Sequence, residues 1–92
     1  MNKKKSLTTE ETFALAVQNH KKNNLRVAEN LYNETLKTNP NHVDSLNNLG
    51  VVFKKLGELQ KAKSCYEKAI EINPSYASAH NNLGIVFKKL GE

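Results

Sequence analysis

"NNLGVVFKKLGE", Asn47–Glu58, and "NNLGIVFKKLGE", Asn81–Glu92, are the same twelve residues apart from Val51 against Ile85, and they lie 34 residues apart. A fixed offset of this size marks an array built from one repeated supersecondary unit, and it is read before any local propensity. Sliding the whole chain by 34 residues extends the match without a gap. Leu15 falls on Leu49 and Leu83, Val17 on Val51 and Ile85, and Lys21 on Lys55 and Lys89. Leu25 meets Leu59, Ala28 meets Ala62, Tyr32 meets Tyr66, and Asn39-Pro40 meets Asn73-Pro74.

Within one period the apolar pattern is helical. Leu46, Leu49, Phe53 and Leu56 recur at intervals of three and four with Val52 beside them, which makes one apolar stripe. Leu59, Ala62, Tyr66, Ala69 and Ile70 make a second. Gly57 supplies a stop between the two helices, since glycine enters the left-handed conformation that ends a helix. Asn73-Pro74-Ser75 closes the pair, because proline cannot continue the ladder and disfavours helix in the residue before it. Asn41 and Ser75 are expected to cap the helices that follow, and Thr8 with Glu11 spells a capping box for the first. The spacing predicts an all-α chain with helices over 9–22, 25–38, 43–56, 59–72 and 77–90. They alternate as first and second members of hairpins. Ala16, Gly50 and Gly84 on the first helices, and Ala28 and Ala62 on the second, are small where helices approach; Phe53, Tyr32 and Tyr66 fill the space left.

Aligned on these positions, the middle period reads Leu46-x2-Leu49-Gly50-x2-Phe53…Ala62-x3-Tyr66…Pro74, and the next begins His80-x2-Leu83-Gly84-x2-Phe87. The first period keeps Leu15-Ala16 and Ala28-x3-Tyr32…Pro40, with Asn19 in place of the aromatic. This pattern resembles the tetratricopeptide repeat. The resemblance implies an α-α superhelix, a solenoid of two full helix hairpins plus one further helix. Its repeats would span about 9–42, 43–76 and a partial 77–92, after a flexible basic N-terminus at 1–8.

A second stripe runs along the first helices, roughly 100–160° around from Leu49. It is Glu10, Ala14, Val17 and Lys21, then Asp44, Asn48, Val51 and Lys55, then Ser78, Asn82, Ile85 and Lys89. In tetratricopeptide proteins the first helices line a concave groove that binds peptides, so the resemblance makes this stripe the groove. Val17, Val51 and Ile85 would form its apolar floor, with Lys21, Lys55 and Lys89 along one edge. Packing between repeats for the apolar residues, and a solvated face for the lysines, are the competing readings. Asn48 and Asn82 each stand directly before a Leu-Gly pair. A side-chain amide offers donors and an acceptor, and so can pair with a peptide backbone of any sequence. The arrangement is similar to the asparagine ladder in the superhelix of O-linked N-acetylglucosamine transferases, although Ala14 breaks it in the first repeat. Solvent exposure or bonding between helices competes with that role. The carboxylate clamp of chaperone-binding tetratricopeptide domains does not match. Its basic and amide positions read Phe13, Val17, Ser78 and Asn82, and only Asn48 fits.

Composition narrows the classes further. An apolar share of 38% with 25% charged residues suits a globular chain, and no apolar run approaches the roughly 20 residues of a membrane span. The basic start lacks the apolar stretch of a secretory signal, and the single cysteine, Cys65, has no partner in the chain for a disulfide. These features point to the cytoplasm. The net charge of +5 raises nucleic acid as a partner, but Lys3-Lys4-Lys5 supplies part of it at the terminus and no long basic block occurs. Nucleic acid is therefore not the expected partner, and no membrane partner is expected. His20, His42 and His80 share no ligand spacing, Cys65 reads as a small buried hydrophobe and His80 as a partly packed ring. No catalytic residues, metal or cofactor are expected.

The function implied is a non-catalytic protein–protein interaction module that takes an extended peptide or partner helix in the groove. The alternative is the N-terminal, substrate-selecting segment of a larger enzyme such as an O-linked N-acetylglucosamine transferase-like glycosyltransferase. The last helix asks for cover at Leu83, Gly84, Val86, Phe87 and Leu90 without a polar substitution. The expectation is a solenoid continued in a longer chain, or self-association through that helix.

Overall fold

A capping box starts the first helix. Thr8 Oγ1 accepts from the Glu11 N–H at 3.0 Å, and Glu11 Oε1 accepts from the Thr8 N–H at 2.9 Å. The computed structural model describes residues 6–92. Their helices are α1 (Thr9–Lys21), α2 (Leu25–Thr38), α3 (Val43–Lys55), α4 (Leu59–Ile72) and α5 (Ala77–Leu90), with no strand among the described residues. The expected helices agree to within one residue at each end. The lysine cluster expected to form a flexible basic terminus lies outside the described residues.

Two kinds of turn set the geometry. Inside each hairpin the chain enters the left-handed region after the first helix, at Asn23 (φ 64°) and Gly57 (φ 79°), and Gly91 does the same after α5 (φ 78°). Asparagine tolerates that region better than other non-glycine residues, which is why the first hairpin turns without a glycine. Between hairpins the Asn-Pro step is closed by its own asparagine. Asn39 Oδ1 accepts from the Asn41 N–H and Asn73 Oδ1 from the Ser75 N–H, each at 3.2 Å. Asn41 and Ser75 are consequently turn residues rather than caps. The N-cap of α3 is His42, whose Nδ1 accepts from the Ser45 N–H at 3.2 Å, and that of α5 is Tyr76, which supplies no side-chain cap.

Each hairpin packs through its small residues. α1 lies on α2 and α3 on α4; α2 then lies on α3 and α4 on α5, while α3 and α5 touch more lightly. The chain is elongated, 57 × 26 × 17 Å. Tyr32 and Tyr66 are fully buried, together with Ala16, Ala28, Ala62 and Ala69. The closest approach is at Gly50. A Cβ there would lie 2.8 Å from Cδ1 and Cζ of the Tyr66 ring, and closer still to Cε1. Packing of this density stabilises through apolar area removed from water, about 1.5–3 kcal/mol for each large side chain fully buried.

Cover from both sides decides what is buried. α3 lies between α2 and α4 and buries seven residues: Ser45, Leu46, Asn47, Leu49, Gly50, Val52 and Phe53. α1 buries only Ala16, and α5 only Ala79 and Val86. Three residues in one repeat register therefore differ: Leu49 is 4% exposed, Leu15 is 36% exposed and Leu83 is half-buried. On α5, Val86 is covered, Leu83, Phe87 and Leu90 are half-buried, and Gly84 meets nothing within 4 Å. The Lys63 amine reaches over the Phe87 ring, 5.4 Å from its centroid, and covers part of it. His80, expected to pack partly, is exposed instead; its Nε2 lies 2.7 Å from the Pro74 carbonyl oxygen and holds the ring against the turn. Cys65 is buried as expected, and burial pushes its thiol up to about 11.

The two buried tyrosines differ at their hydroxyls. Tyr32 Oη lies 3.0 Å from His20 Nδ1, whereas Tyr66 Oη has no hydrogen-bond partner. His20 corresponds in the repeat to Lys54, which provides no ring nitrogen for Tyr66. Tyr32→Phe is expected to lower stability by about 1 kcal/mol, and Tyr66→Phe to leave it unchanged or raise it. Urea unfolding followed by circular dichroism reads both. In the same assay Gly50→Ala is expected to cost roughly 1–3 kcal/mol through overpacking against the buried ring. Gly84→Ala, with open space around it, is expected to gain roughly 0.5–1 kcal/mol from reduced chain entropy. Equal effects at the two glycines would contradict the packing described.

Candidate functional site

The stripe along the first helices does not form one uniform face. Val17 and Lys21 of α1 meet Asn48 and Lys55 of α3 in an open concavity of about 360 Å³, whose lining is completed by His20, Asn23 and Tyr32. Val51 is half-buried against the core next to this concavity in sequence, but does not line it. Ile85 is 36% exposed on α5, and Lys89 is exposed; neither reaches the concavity.

The two asparagines differ. Asn82 is half-buried, and its Nδ2 donates to Oδ1 of the buried Asn47 at 3.0 Å, which ties α5 to α3. The equivalent bond one repeat earlier would need Phe13 as acceptor, which has no polar atom. Asn48 instead lines the concavity together with Tyr32, whose hydroxyl pKa burial pushes up to about 12 while the Asn48 amide acts in the other direction. One asparagine thus has an inter-helix bond, and the other a place in the concavity.

The electrostatics of the concavity are positive. Its lining carries the Lys21 and Lys55 ammonium groups and no carboxylate. Partial burial, with the Lys55 charge second, holds the His20 imidazole below its ordinary value of 6.5. Its edge meets the Tyr32 ring, centroids 5.9 Å apart. His20, Asn23 and Tyr32 are site residues that the helical stripe misses. Tyr32 comes from the second helix of its hairpin, and Asn23 from the turn. Asn23's alignment with Gly57 is the one sequence signal that marks it as a turn residue facing the same end.

A second hollow of about 460 Å³ lies at the N-terminal ends of α3 and α5 and includes Asn39, His42, Asp44, Asn73 and Tyr76. There the Tyr76 hydroxyl donates to Asp44 Oδ1, so the acidic member of the α3 stripe is engaged by the neighbouring turn. Among the described residues no three His, Cys, Asp or Glu side chains come together to hold a metal, and no helix is long and apolar enough to cross a membrane.

Comparison with known proteins follows this geometry. A family model described as "Tetratricopeptide repeat" matches residues 31–64, and one described as "TPR repeat" matches residues 52–91. No curated protein sequence matches the chain. Among solved structures, a crystal structure of MamA superposes with a TM-score of 0.89 at 26% identity over 91% of this chain and 49% of that one. A second MamA structure gives 0.88 at 26% identity, over 91% of this chain and 46% of that one. The chain therefore spans about half the length of these two structures. The first tetratricopeptide domain of Spaghetti (RPAP3), bound to the HSP90 peptide SRMEEVD, gives 0.88 at 22% identity over 92% of this chain and 68% of that one, a likeness of fold. The residues covered by the two models, 31–91, are tetratricopeptide repeats, and the chain is an all-α helical-hairpin solenoid of that family.

Proposed function

We propose that the chain is a non-catalytic interaction module that holds an extended peptide or a partner helix along the first helices of its hairpins. The observation that carries this reading is the meeting of Val17, Lys21, Asn48 and Lys55, from two different repeats, in one open concavity. Repeat solenoids use their concave faces in this way because successive repeats present the same positions at regular spacing. In the groove Val17 offers apolar contact at the base, and the Asn48 amide offers both a donor and an acceptor to a peptide backbone. Asn82 keeps its second amide proton and its carbonyl oxygen for the same purpose after bonding Asn47. Lys21, Lys55 and Lys89 supply charge along the rim, and Val51 and Ile85 extend the apolar strip towards α5. The peptide complex of the RPAP3 domain supports the reading as an example of what a domain of this fold holds.

A fluorescent peptide library titrated against the chain tests it. Peptides are expected to bind wild type, and Asn48→Ala/Asn82→Ala is expected to weaken binding by roughly 30-fold, as two hydrogen bonds at about 1 kcal/mol each imply. Unchanged binding would remove the amides from the site, and no binding by any peptide would remove the groove.

A further inference from the structure

The fold gathers along one edge a positive charge that the sequence disperses. No long basic block occurs in the chain, but Lys21-Lys22, Lys54-Lys55 and Lys88-Lys89 stand at the ends of α1, α3 and α5. Each first helix ends where its hairpin turns, so the three pairs lie along the hairpin-turn edge of the solenoid. Contacts run the length of that edge. Lys21, Asn23 and Lys55 line one hollow, Arg26 at the start of α2 reaches Glu58 before α4 at 2.9 Å, and Lys63 of α4 reaches Glu92 after α5 at 3.2 Å. The carboxylates there, Glu29, Glu58 and Glu92, are already engaged by Arg26, Lys61 and Lys63. Among the described residues seven lysines have no ion pair; six are these three pairs, and the seventh is Lys68 of α4. The acidic first turns, with Glu10, Glu11 and Asp44, lie at the opposite edge.

Helix ends alone do not account for this segregation. A cation in a last turn complements the carbonyl end of a helix, which suits the lysines of α1, α3 and α5. The same edge also carries the amide ends of α2 and α4, which favour acidic residues. Their first turns contain none and hold Arg26 and Lys61 instead. Like charges in a row, with few counter-charges among them, raise the local potential and attract an anion that runs along them.

We propose that the hairpin-turn edge binds nucleic acid, holding the phosphate backbone of a single strand along the lysine pairs of α1, α3 and α5. The proposal stands apart from the groove reading, since Lys22, Lys54 and Lys88 lie outside the groove stripe. A polynucleotide carries a charge at every nucleotide, so a strand that follows the solenoid meets each lysine pair in turn. A flexible single strand can follow that path, whereas a duplex is stiff over this length. Phosphate contacts carry no sequence information, so the binding is independent of sequence. An anionic bilayer would call for a row of apolar side chains to enter its interface; Val27 is the single exposed large hydrophobic residue in these turns.

Fluorescence anisotropy of the full chain with a labelled oligothymidylate of about 20 nucleotides, at about 50 to 200 mM salt, tests the assignment. Wild type is expected to bind, with log affinity falling linearly against log salt. Lys22→Gln/Lys88→Gln is expected to lose roughly tenfold or more at about 0.1 M salt. Its salt slope is expected to be shallower by about 1.4, at about 0.7 for each lost phosphate contact. Lys37→Gln/Lys68→Gln removes the same charge from exposed positions away from the edge, and is expected to change affinity by about twofold or less. A mixed-sequence strand of equal length is expected to bind within about threefold of oligothymidylate. Peptides that bind in the groove are expected to keep their affinity in Lys22→Gln/Lys88→Gln, so the two readings succeed or fail separately.

No binding at the lowest salt, or equal losses in the two double variants, would overturn the assignment. Binding abolished by Lys3→Gln/Lys4→Gln/Lys5→Gln and untouched by Lys22→Gln/Lys88→Gln would move the site to the N-terminus. Binding of phosphatidylserine-containing vesicles, lost in Lys22→Gln/Lys88→Gln, together with no binding of oligothymidylate, would reassign the edge to a membrane surface.

Discussion

The close seat of the Tyr66 ring over Gly50 is the constraint from which the rest of the structure follows. It lets α3 and α4 approach until their small residues meet, and it leaves no room for a side chain at position 50. Fully buried Ala16 and Tyr32 hold the same repeat positions in the first hairpin, so the two hairpins share one geometry. Equal hairpins stacked through equal turns make a solenoid, and a solenoid places the first helices of neighbouring repeats side by side. Residues 34 apart, such as Lys21 and Lys55, consequently line one concavity although no short sequence motif contains both.

The same constraint reaches the site through the tyrosine hydroxyl. In the first hairpin the buried Tyr32 ring carries its oxygen out to His20, which joins the packing core to the hollow that Asn48 also lines. In the second hairpin the equivalent Tyr66 oxygen is left without a partner. Two rings with the same packing role thus end in different chemistry. The difference traces to single positions, His20 against Lys54 and Asn48 against Asn82, and not to the fold. Repeat proteins vary ligand recognition in this manner, with shared packing positions kept and groove positions changed.

The helices, both turn types and the tight position at Gly50 were legible in the sequence because each depends on residues close along the chain or at a fixed offset. Burial was less legible. Leu15, Leu49 and Leu83 hold the same repeat position and have different neighbours in space, and only Leu49 is enclosed on both sides. The caps were misplaced by one residue because the Asn39 and Asn73 side chains fold back onto the turn and take Asn41 and Ser75 into it. His80 followed the same logic: alignment with buried Leu46 suggested packing, but the Pro74 carbonyl holds the ring outside. In the candidate site the helical stripe identified Val17, Lys21, Asn48 and Lys55, which share first-helix positions. It did not identify Tyr32 or Asn23, since a second helix and a turn contribute them. Bonding between helices was the competing reading for the two asparagines, and Asn82 takes it by donating to Asn47; Asn48 lacks the equivalent acceptor because Phe13 stands one repeat before Asn47.

The central claim is that ligand binding belongs to the face made by α1 and α3, and amide chemical-shift mapping tests it most directly. A proton–nitrogen correlation spectrum of the chain, titrated with a peptide that binds in the library assay, reports all backbone N–H groups at once. The account predicts that the largest shifts fall at Val17, His20, Lys21, Asn48 and Lys55, with Asn30 and Asn33 of α2 and Glu67 of α4 unmoved. Shifts centred on α2 and α4, with α1 and α3 silent, would contradict it.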